Sequence, residues 1–155
     1  MKSPMKRAVE HARMTMNEDI GGPFGAAIVD KEGNIVAVNS NRVLGDHDPT
    51  AHAEITAIRE ACKKLGTHDL SGYVLYATGF PCPMCLGAII WANIKQVYYG
   101  NTPKEAEEIG FRDDFIYEFI KNNCSDKGII NFKQIEHDEC KNLFEEYHLK
   151  SKEIY

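Results

Sequence analysis

The sequence predicts one domain of the α/β class, and three short segments near the middle of the chain carry that prediction. Residues 72–78, "GYVLYAT", form an apolar run of strand length, and residues 96–100, "QVYYG", form a second one. Between them, residues 81–94 make a longer apolar segment that favours a buried helix. A strand, a helix and a strand in this order are typical of a parallel βαβ unit. The chain has 155 residues, 43% of them hydrophobic, so it is long enough for one core and too short for two ordinary domains.

The segment before this unit predicts a helix followed by a β-hairpin. Residues 4–16 place apolar side chains near helical spacing, so they predict an amphipathic helix that ends before "GGPFG". Residues 26–29 and 35–37 are short apolar runs on either side of "DKEGN", a turn-rich stretch that predicts a hairpin. The apolar stripe of the helix consists of Met5, Val9, Ala12 and Met16.

The most regular helical pattern covers residues 50–66. Thr50 is the expected N-cap and Gly66 the expected end, because hydroxyl side chains favour helix starts and glycine commonly follows the last turn. The predicted buried stripe consists of Ile55, Ile58, Cys62 and Leu65.

The last third of the chain has weaker patterns. The stretches "PKEAEEIGF" and "DDFIYEFIKN" predict two short helices, and "IINFKQIE" predicts an edge strand. Residues 138–149 predict a final amphipathic helix.

Composition narrows the classes of function. The chain carries 18 Lys and Arg against 23 Asp and Glu, a net charge of −5 without a basic stripe, which disfavours nucleic acid and fits a small neutral substrate. No segment approaches the ~18 apolar residues of a membrane span, and the N-terminus does not resemble a secretory signal. Five cysteines, an odd number, favour thiols or metal ligands over a disulfide framework. We therefore expect a cytoplasmic protein without a membrane partner.

Three residues with metal-ligand chemistry fall near the starts of the two predicted central helices. His52 belongs to "HAE", and Cys82 and Cys85 belong to "PCPMC". The amide groups and dipole at a helix start stabilise a thiolate, which is the form that binds zinc. One His and two Cys leave one tetrahedral position open to water, and an open position distinguishes catalytic zinc from structural zinc.

Glu54 is the predicted catalytic base of this zinc site. Two thiolates neutralise the charge of the metal, so a nearby base is needed to remove a proton from its water, and Glu54 lies two residues after His52. Other interpretations remain open from the spacing alone. A lone C-x-x-C pair is also typical of a redox centre or of half a structural clip, and a fourth ligand from His137 or Cys140 would close the site.

The two motifs together resemble the cytidine deaminase superfamily. Its signature is H-x-E followed by P-C-x-x-C, and this chain has "HAE" at residues 52–54 and "PCPMC" at residues 81–85. The resemblance covers about residues 4–150. It implies a three-layer α/β/α sandwich whose five-stranded mixed sheet is flanked by helices, with the metal held at two helix N-termini.

Within that superfamily the chain is most similar to the small bacterial guanine deaminases. The matching stretches are "GGPFGA", "DPTAHAE", "AIREACKKLG", "PCPMCLGAIIWA", "GFRDDFIY" and the final tyrosine. This resemblance implies zinc-dependent hydrolysis of guanine, at C2 of the purine, to xanthine and ammonia.

The resemblance also implies roles for five residues around a bound base. Phe24 is expected to stack on the purine face, and Asn41 to hydrogen-bond the base. Asp113 is expected to accept protons from the guanine edge, and the backbone of Ala53 to contact the base. Tyr155 is expected to reach an active site, that of the partner subunit.

Each of these side chains also has a purely structural interpretation. An aromatic residue after Gly-Pro, such as Phe24, is commonly part of a core. Asn41 follows a predicted strand and fits a turn, and Asp113 fits the cap of the next helix. Tyr155 is a terminal residue, and terminal residues are commonly disordered.

The same resemblance implies how the whole chain is organised. Residues 1–155 are expected to form a single zinc-dependent deaminase domain. The protein is expected to be a homodimer in which the segment from about residue 138 to residue 155 is exchanged between subunits.

Other functions remain as alternatives. The tRNA adenosine deaminases share the zinc motif, but they usually carry a basic C-terminal helix, because contacts to the tRNA backbone need Lys and Arg. Residues 141–155 of this chain instead hold three Lys and three Glu. Cytosine or another aminated heterocycle is a further candidate substrate. A structural zinc protein or a binding module without activity is an alternative of a different class, and the presence of Glu54 disfavours it.

One residue departs from the pattern of the superfamily. Most relatives have Glu directly before the "PC" dipeptide, whereas this chain has Phe80 before Pro81. Phe80 accepts no hydrogen bond, so any support that the Glu gives to the metal loop must come from elsewhere.

Overall fold

The computed structural model describes residues 1–155, which divide into two compact units, Met1–Tyr117 and Glu118–Tyr155. The first unit contains all four strands and most of the helices. In chain order the elements are α1 (Pro4–Asn17), β1 (Gly25–Val29), β2 (Ile35–Ser40), α2 (Ala53–Leu65), β3 (Val74–Gly79), α3 (Pro83–Trp91), β4 (Gln96–Asn101), α4 (Pro103–Glu108), α5 (Asp114–Lys121) and α6 (His137–Leu149).

The strands form one mixed sheet in the order β2-β1-β3-β4. Strand β1 pairs antiparallel with both β2 and β3, which confirms the predicted hairpin. Strands β3 and β4 are parallel and are joined through α3, which confirms the predicted βαβ unit and the α/β class.

The prediction of a fifth strand is wrong. Residues 129–136, "IINFKQIE", contain neither strand nor helix, so the sheet has four strands. A local turn explains the difference, because the N–H groups of Ile129 and Ile130 donate to the carbonyl of Asp126. In addition, the Phe132 ring stacks with Phe119 inside the second unit. These contacts use the backbone and side chains that an edge strand would present to the sheet.

Helices of the first unit pack on both faces of the sheet. One apolar core joins the small side chains of α2, such as Ala57, to Ile28 of β1 and Leu75 of β3, and it includes Ile89 of α3. The opposite face meets α1, where the Gly25 backbone lies so near the Ala8 carbonyl that a Cβ would stand 2.1 Å from its oxygen. The two helices that begin with the predicted metal ligands therefore share one face of the sheet.

Helix α2 begins later than the sequence suggests, so the expected N-cap is wrong. His52 has the extended N-cap conformation and Ala53 is the first helical residue. Thr50 instead belongs to a turn in which both its N–H and its hydroxyl donate to the Asp48 carboxylate. Gly66 ends the helix as predicted, with a left-handed φ of 65°.

The second unit contains the end of α5 and the predicted final helix, α6. No residue of α6 is buried, and its large apolar side chains are exposed, Phe144 with an exposed fraction of 77%. No helix in the chain is long and apolar enough to cross a membrane.

Candidate active site

The starts of α2 and α3 bring together the three predicted metal ligands. His52 is the N-cap of α2 and Cys82 is the N-cap of α3, but neither side chain makes a capping hydrogen bond. Cys85 lies in the first turn of α3 and is fully buried. Their ligating atoms all lie within 4.8 Å of one another. The two N-cap side chains are therefore left to face each other rather than their own helices.

The spacing of these atoms fits a tetrahedral zinc ion. His52 Nδ1 lies 3.5 Å from Cys82 Sγ and 3.6 Å from Cys85 Sγ. A tetrahedral ion with zinc–nitrogen and zinc–sulfur distances in the usual range separates an imidazole nitrogen from a thiolate sulfur by about 3.6 Å. One nitrogen and two thiolate sulfurs are also a donor set that zinc prefers. The site therefore fits zinc through His52 Nδ1, with one position left for a non-protein ligand.

The ligand side chains shift one another's pKa values. The hydrogen bond from Cys85 lowers the pKa of Cys82 to about 4, and it acts with the nearby His52 against the effect of burial. The same hydrogen bond, together with burial and the nearby Glu54 carboxylate, raises the pKa of Cys85. The hydrogen bond with Cys82 raises the pKa of His52. One sulfur is thus ready as a thiolate, and binding of a cation would release the proton of the other.

Glu54 lies beside this ligand group in the first turn of α2. Its side chain is nearly buried, with an exposed fraction of 6%, and Cys85 Sγ donates to Oε2 at 3.2 Å. Burial raises the pKa of Glu54 above its ordinary value. A carboxyl group with a raised pKa is suited to accept and return a proton near neutral pH.

Phe24 directly precedes β1, and its ring lies close to Gly22, Gly79 and the Phe111 ring. Its ring is edge-to-face with Phe111, with centroids 5.0 Å apart and an interplanar angle of 88°. A Cβ on Gly79, three residues before Cys82, would lie 3.4 Å from the Phe24 ring. The ring thus lies close to the strand end that leads into the cysteine motif.

Asn41 is buried at the end of β2, and its side-chain oxygen is already engaged. That oxygen accepts from the N–H groups of Gly22, at 3.3 Å, and Val43, at 3.0 Å, while the Asn41 N–H donates to the Phe24 carbonyl. Gly21 must be a glycine, because a Cβ there would stand 2.0 Å from the Asn41 carbonyl oxygen. Asn41 therefore has its amide NH2 group, a donor, to offer to a ligand.

Asp113 precedes α5 and is half-buried. Burial, followed by the negative charge of Cys82, raises the pKa of Asp113, so the carboxyl group lies within electrostatic range of the metal ligands. One turn later, the Tyr117 hydroxyl donates to the Pro81 carbonyl at 3.5 Å, directly before Cys82. These contacts place the start of α5 beside the cysteine motif.

Of the remaining predicted residues, one lies beside the ligand group and three belong to the second unit. Ala53 is fully buried in the first turn of α2, between His52 and Glu54. Tyr155 belongs to the second unit and is largely exposed there, so its role stays a prediction. His137 and Cys140, the candidates for a fourth ligand, also belong to the second unit and are not members of the ligand group.

Phe80 packs against the sheet. Its ring is edge-to-face with Tyr99 of β4, with centroids 5.0 Å apart, and its N–H donates to the Asn101 carbonyl. Phe111 and Tyr117 belong to the stretch "GFRDDFIY", but the sequence assigns neither of them a role. Their contacts with Phe24 and Pro81 join segments far apart in the chain, and no local spacing signals them.

A family model supports this assembly of residues. The model of the cytidine and deoxycytidylate deaminase zinc-binding region matches residues 1–101. The chain belongs to the cytidine and deoxycytidylate deaminase family. The zinc ligands of this deaminase family are thus expected within the matched region, which contains both "HAE" and "PCPMC".

Two relatives of this deaminase are informative, one of them by both sequence and structure. The chain is 51% identical over 125 residues to the guanine deaminase of Bacillus subtilis, a match that covers 81% of this chain and 80% of that protein. It superimposes on the crystal structure of Bacillus subtilis guanine deaminase with a TM-score of 0.87, covering 98% of this chain and 96% of the other. It is also 38% identical over 101 residues to the tRNA-specific adenosine deaminase of Haemophilus influenzae, covering 65% of this chain and 58% of that protein.

Proposed function

We propose that the protein is a zinc-dependent guanine deaminase that converts guanine and water to xanthine and ammonia. The observation that carries the proposal is the likeness to Bacillus subtilis guanine deaminase over most of both chains. The local geometry supports it, since His52, Cys82, Cys85 and Glu54 lie in one cluster. The sequence identity to the Haemophilus influenzae tRNA adenosine deaminase is lower, 38% against 51% for the guanine deaminase.

His52, Cys82 and Cys85 are the residues that would hold the metal, as their distances and donor types fit zinc. When bound, zinc would supply a Lewis acid that lowers the pKa of a water molecule and makes it nucleophilic at neutral pH. Both cysteines must then be thiolates, so Cys85 no longer donates a proton to Glu54. The Glu54 carboxylate becomes free to act on water and substrate.

Glu54 moves two protons during the reaction. It first takes a proton from the water as the oxygen bonds to C2 of guanine, and it delivers this proton to ring N3. It then takes the remaining hydroxyl proton and delivers it to the C2 amine. The C2–N bond breaks, ammonia leaves, and the C2 carbonyl of xanthine forms. One buried carboxyl group with a raised pKa serves for both transfers.

The base pocket distinguishes guanine from adenine by its pattern of donors and acceptors. Asp113 offers a carboxylate acceptor for the guanine N1–H, whereas adenine has an unprotonated N1 that would leave the carboxylate unpaired. Asn41 offers an NH2 donor, because its oxygen is held by two backbone N–H groups. Phe24 supplies a face for stacking, and the backbone at Ala53 contacts the base.

The proposal also covers the assembly of the protein. The protein forms a homodimer that exchanges the segment from about residue 138 to residue 155, so that Tyr155 reaches the active site of the partner. The support is that α6 buries none of its residues and leaves Leu143 and Phe144 exposed. An apolar helix face of this kind requires a partner surface. Residues 1–155 then act as one zinc-dependent deaminase domain in a cytoplasmic enzyme of purine metabolism.

Glu54→Gln tests the mechanism with a nearly isosteric change. We expect the zinc content of the variant to equal that of the native protein, because Glu54 is not a ligand. We expect xanthine formation from guanine to fall by about 10²–10⁴-fold, the usual loss when a general acid–base is removed. Full activity in a zinc-loaded Glu54→Gln protein would contradict the proposal.

Glu60→Gln is the matched control. Glu60 also lies on α2, but it pairs with Lys64 at 2.7 Å and Asn39 at 3.2 Å, away from the ligand group. We expect this variant to retain both zinc and guanine deamination, which separates loss of the proton shuttle from a general effect on the helix.

A further inference from the structure

A contact between two aromatic rings links the two sides of the proposed base pocket. The Phe24 and Phe111 rings meet edge-to-face at 5.0 Å. Gly22 leaves room for both, because a Cβ there would lie 3.2 Å from Phe111 Cζ and 3.3 Å from Phe24 Cδ2. Aromatic pairs of this geometry have a preferred orientation, so each ring restricts the other. The orientation of Phe24 is therefore set in part by Phe111.

Phe111 also lies on the segment that carries Asp113. Its N–H donates to the Ala106 carbonyl at 3.0 Å, which ties this segment to the end of α4. Arg112, between the two, is exposed and forms ion pairs with Glu107 and Asp114. Phe111 and Asp113 are thus the residues of this segment that face the rest of the first unit.

Phe111 contributes to the fold less than a core residue does. Its side chain is 47% exposed and it is not a member of the apolar core. Its removal therefore leaves no closed cavity, and large losses of stability come mainly from cavities or unsatisfied buried groups. The ring contact with Phe24 is its main specific interaction.

We propose that Phe111 is a positioning residue for guanine. It sets the plane of the Phe24 ring and, through the chain, holds Asp113 beside the base, so that stacking and hydrogen bonding occur in register. The proposal rests on the proposed function, because it assigns the Phe24 and Asp113 contacts to a bound purine. In this proposal Phe111 acts through Phe24 and Asp113 and not on the reacting atoms.

Phe111→Leu removes the aromatic edge and keeps an apolar side chain. Stacking on Phe24 and the hydrogen bond to Asp113 hold the base in the ground state as well as in the transition state, so their weakening raises KM. We expect kcat/KM for guanine to fall by about tenfold to 10²-fold, mostly through this higher KM. Zinc content stays unchanged, because the ligands lie on α2 and α3. A purely structural role would instead reduce the active fraction, which lowers kcat and leaves KM unchanged.

Phe115→Leu is the matched control. Phe115 lies in the first turn of α5, is 49% exposed and, like Phe111, stands two residues from Asp113. We expect its kinetic constants to match those of the native protein. An equal rise in KM for both variants would overturn the proposal, since it would mark a general response to losing a phenylalanine there.

A double-mutant cycle with Phe24→Leu tests whether the two rings act together. If Phe111 acts on the base through Phe24, the double variant loses less than the product of the two single losses. A double variant that loses the full product overturns the proposed coupling. A native protein that forms no xanthine from guanine contradicts the proposed function itself, whereas an active native protein with an unaffected Phe111→Leu variant contradicts the positioning role alone.

Discussion

At the scale of single residues, Asp113 is a carboxyl group whose surroundings oppose its charge. Burial raises its pKa, and the charge of Cys82 adds to this effect. A raised pKa in the folded state means that the folded protein binds the proton more tightly than the unfolded chain does. The stability contributed by this group is therefore present at low pH and is lost as pH rises through the folded pKa. This loss of stability at neutral pH is consistent with the proposed role of the Asp113 carboxylate in binding the base.

The variant Asp113→Asn tests this cost. At neutral pH we expect the variant to be more stable than the native protein, because the unfavourable charge is gone. The difference in the free energy of unfolding should shrink as pH falls below the raised pKa of Asp113, where the native carboxyl is protonated. Denaturant unfolding of the zinc-loaded proteins at several pH values measures it. A native protein that is more stable than the variant at neutral pH would contradict this reading of Asp113.

The sequence predicted the chemistry of the metal group better than the detail of the pocket. Fixed spacing in "HAE" and "PCPMC" put His52 and Cys82 at helix starts, and the structure brings them together. The orientation of Asn41 depends instead on the N–H of Gly22, 19 residues earlier in the chain. The partner of Phe80 is Tyr99, which comes from the next strand. Such contacts follow from the folded sheet and have no signal in local sequence.

At the scale of elements, the position of α1 on the sheet depends on a glycine in β1. Gly25 pairs with Ser40 of β2, and its N–H donates to Thr78 Oγ1 of β3 at 3.0 Å. Its Cα faces the Ala8 carbonyl of α1 with no room for a side chain. Because Phe24 directly precedes it, this close approach also fixes the start of the strand that carries the proposed stacking residue.

A pair of Gly→Ala variants tests this packing. In Gly25→Ala the new Cβ would lie 2.1 Å from the Ala8 oxygen, so α1 must move, and we expect a loss of about 1–3 kcal/mol in the free energy of unfolding. In Gly87→Ala, on α3, nothing lies within 4 Å, and alanine should stabilise the helix by up to about 1 kcal/mol. Urea titration of both proteins measures the difference. Equal stabilities would show that α1 does not pack closely on Gly25.

The elements that the sequence predicted are those whose pattern is local. The helix over residues 4–16, the hairpin and the βαβ unit each carry their own apolar periodicity, and each is present. The strand predicted over residues 129–136 also had the apolar content of a strand. It failed because pairing requires a neighbouring edge, whereas the turn at Asp126 and the Phe119–Phe132 stack determine its conformation.

At the scale of the whole molecule, the exposed apolar face of α6 supports the proposed homodimer. Leu143 and Phe144 lie four and three residues before Tyr147, so each of them shares a face of the helix with Tyr147. Apolar faces of this kind are typical of surfaces that another chain covers. The proposed exchange of the C-terminal segment would give this face a partner and bring Tyr155 to a second active site.

Phe144→Lys tests the assembly. We expect this variant to shift the protein from dimer towards monomer in sedimentation velocity experiments, because a charge at a buried apolar contact is costly. Asn142→Lys adds the same charge on the opposite side of the helix and should leave the dimer intact. Identical sedimentation of the two variants would argue against a role for α6 in the dimer.

In the proposed function, the protein deaminates guanine at a zinc site in which Glu54 transfers the protons. Ammonia release from guanine, adenine, cytosine and guanosine, with the zinc-loaded and the chelator-treated protein, tests it most directly. We expect release from guanine, with xanthine as the second product, loss of the activity with the chelator and recovery with zinc. Release from adenine or cytosine but not from guanine, or no release from any of the four by zinc-loaded protein, would contradict it.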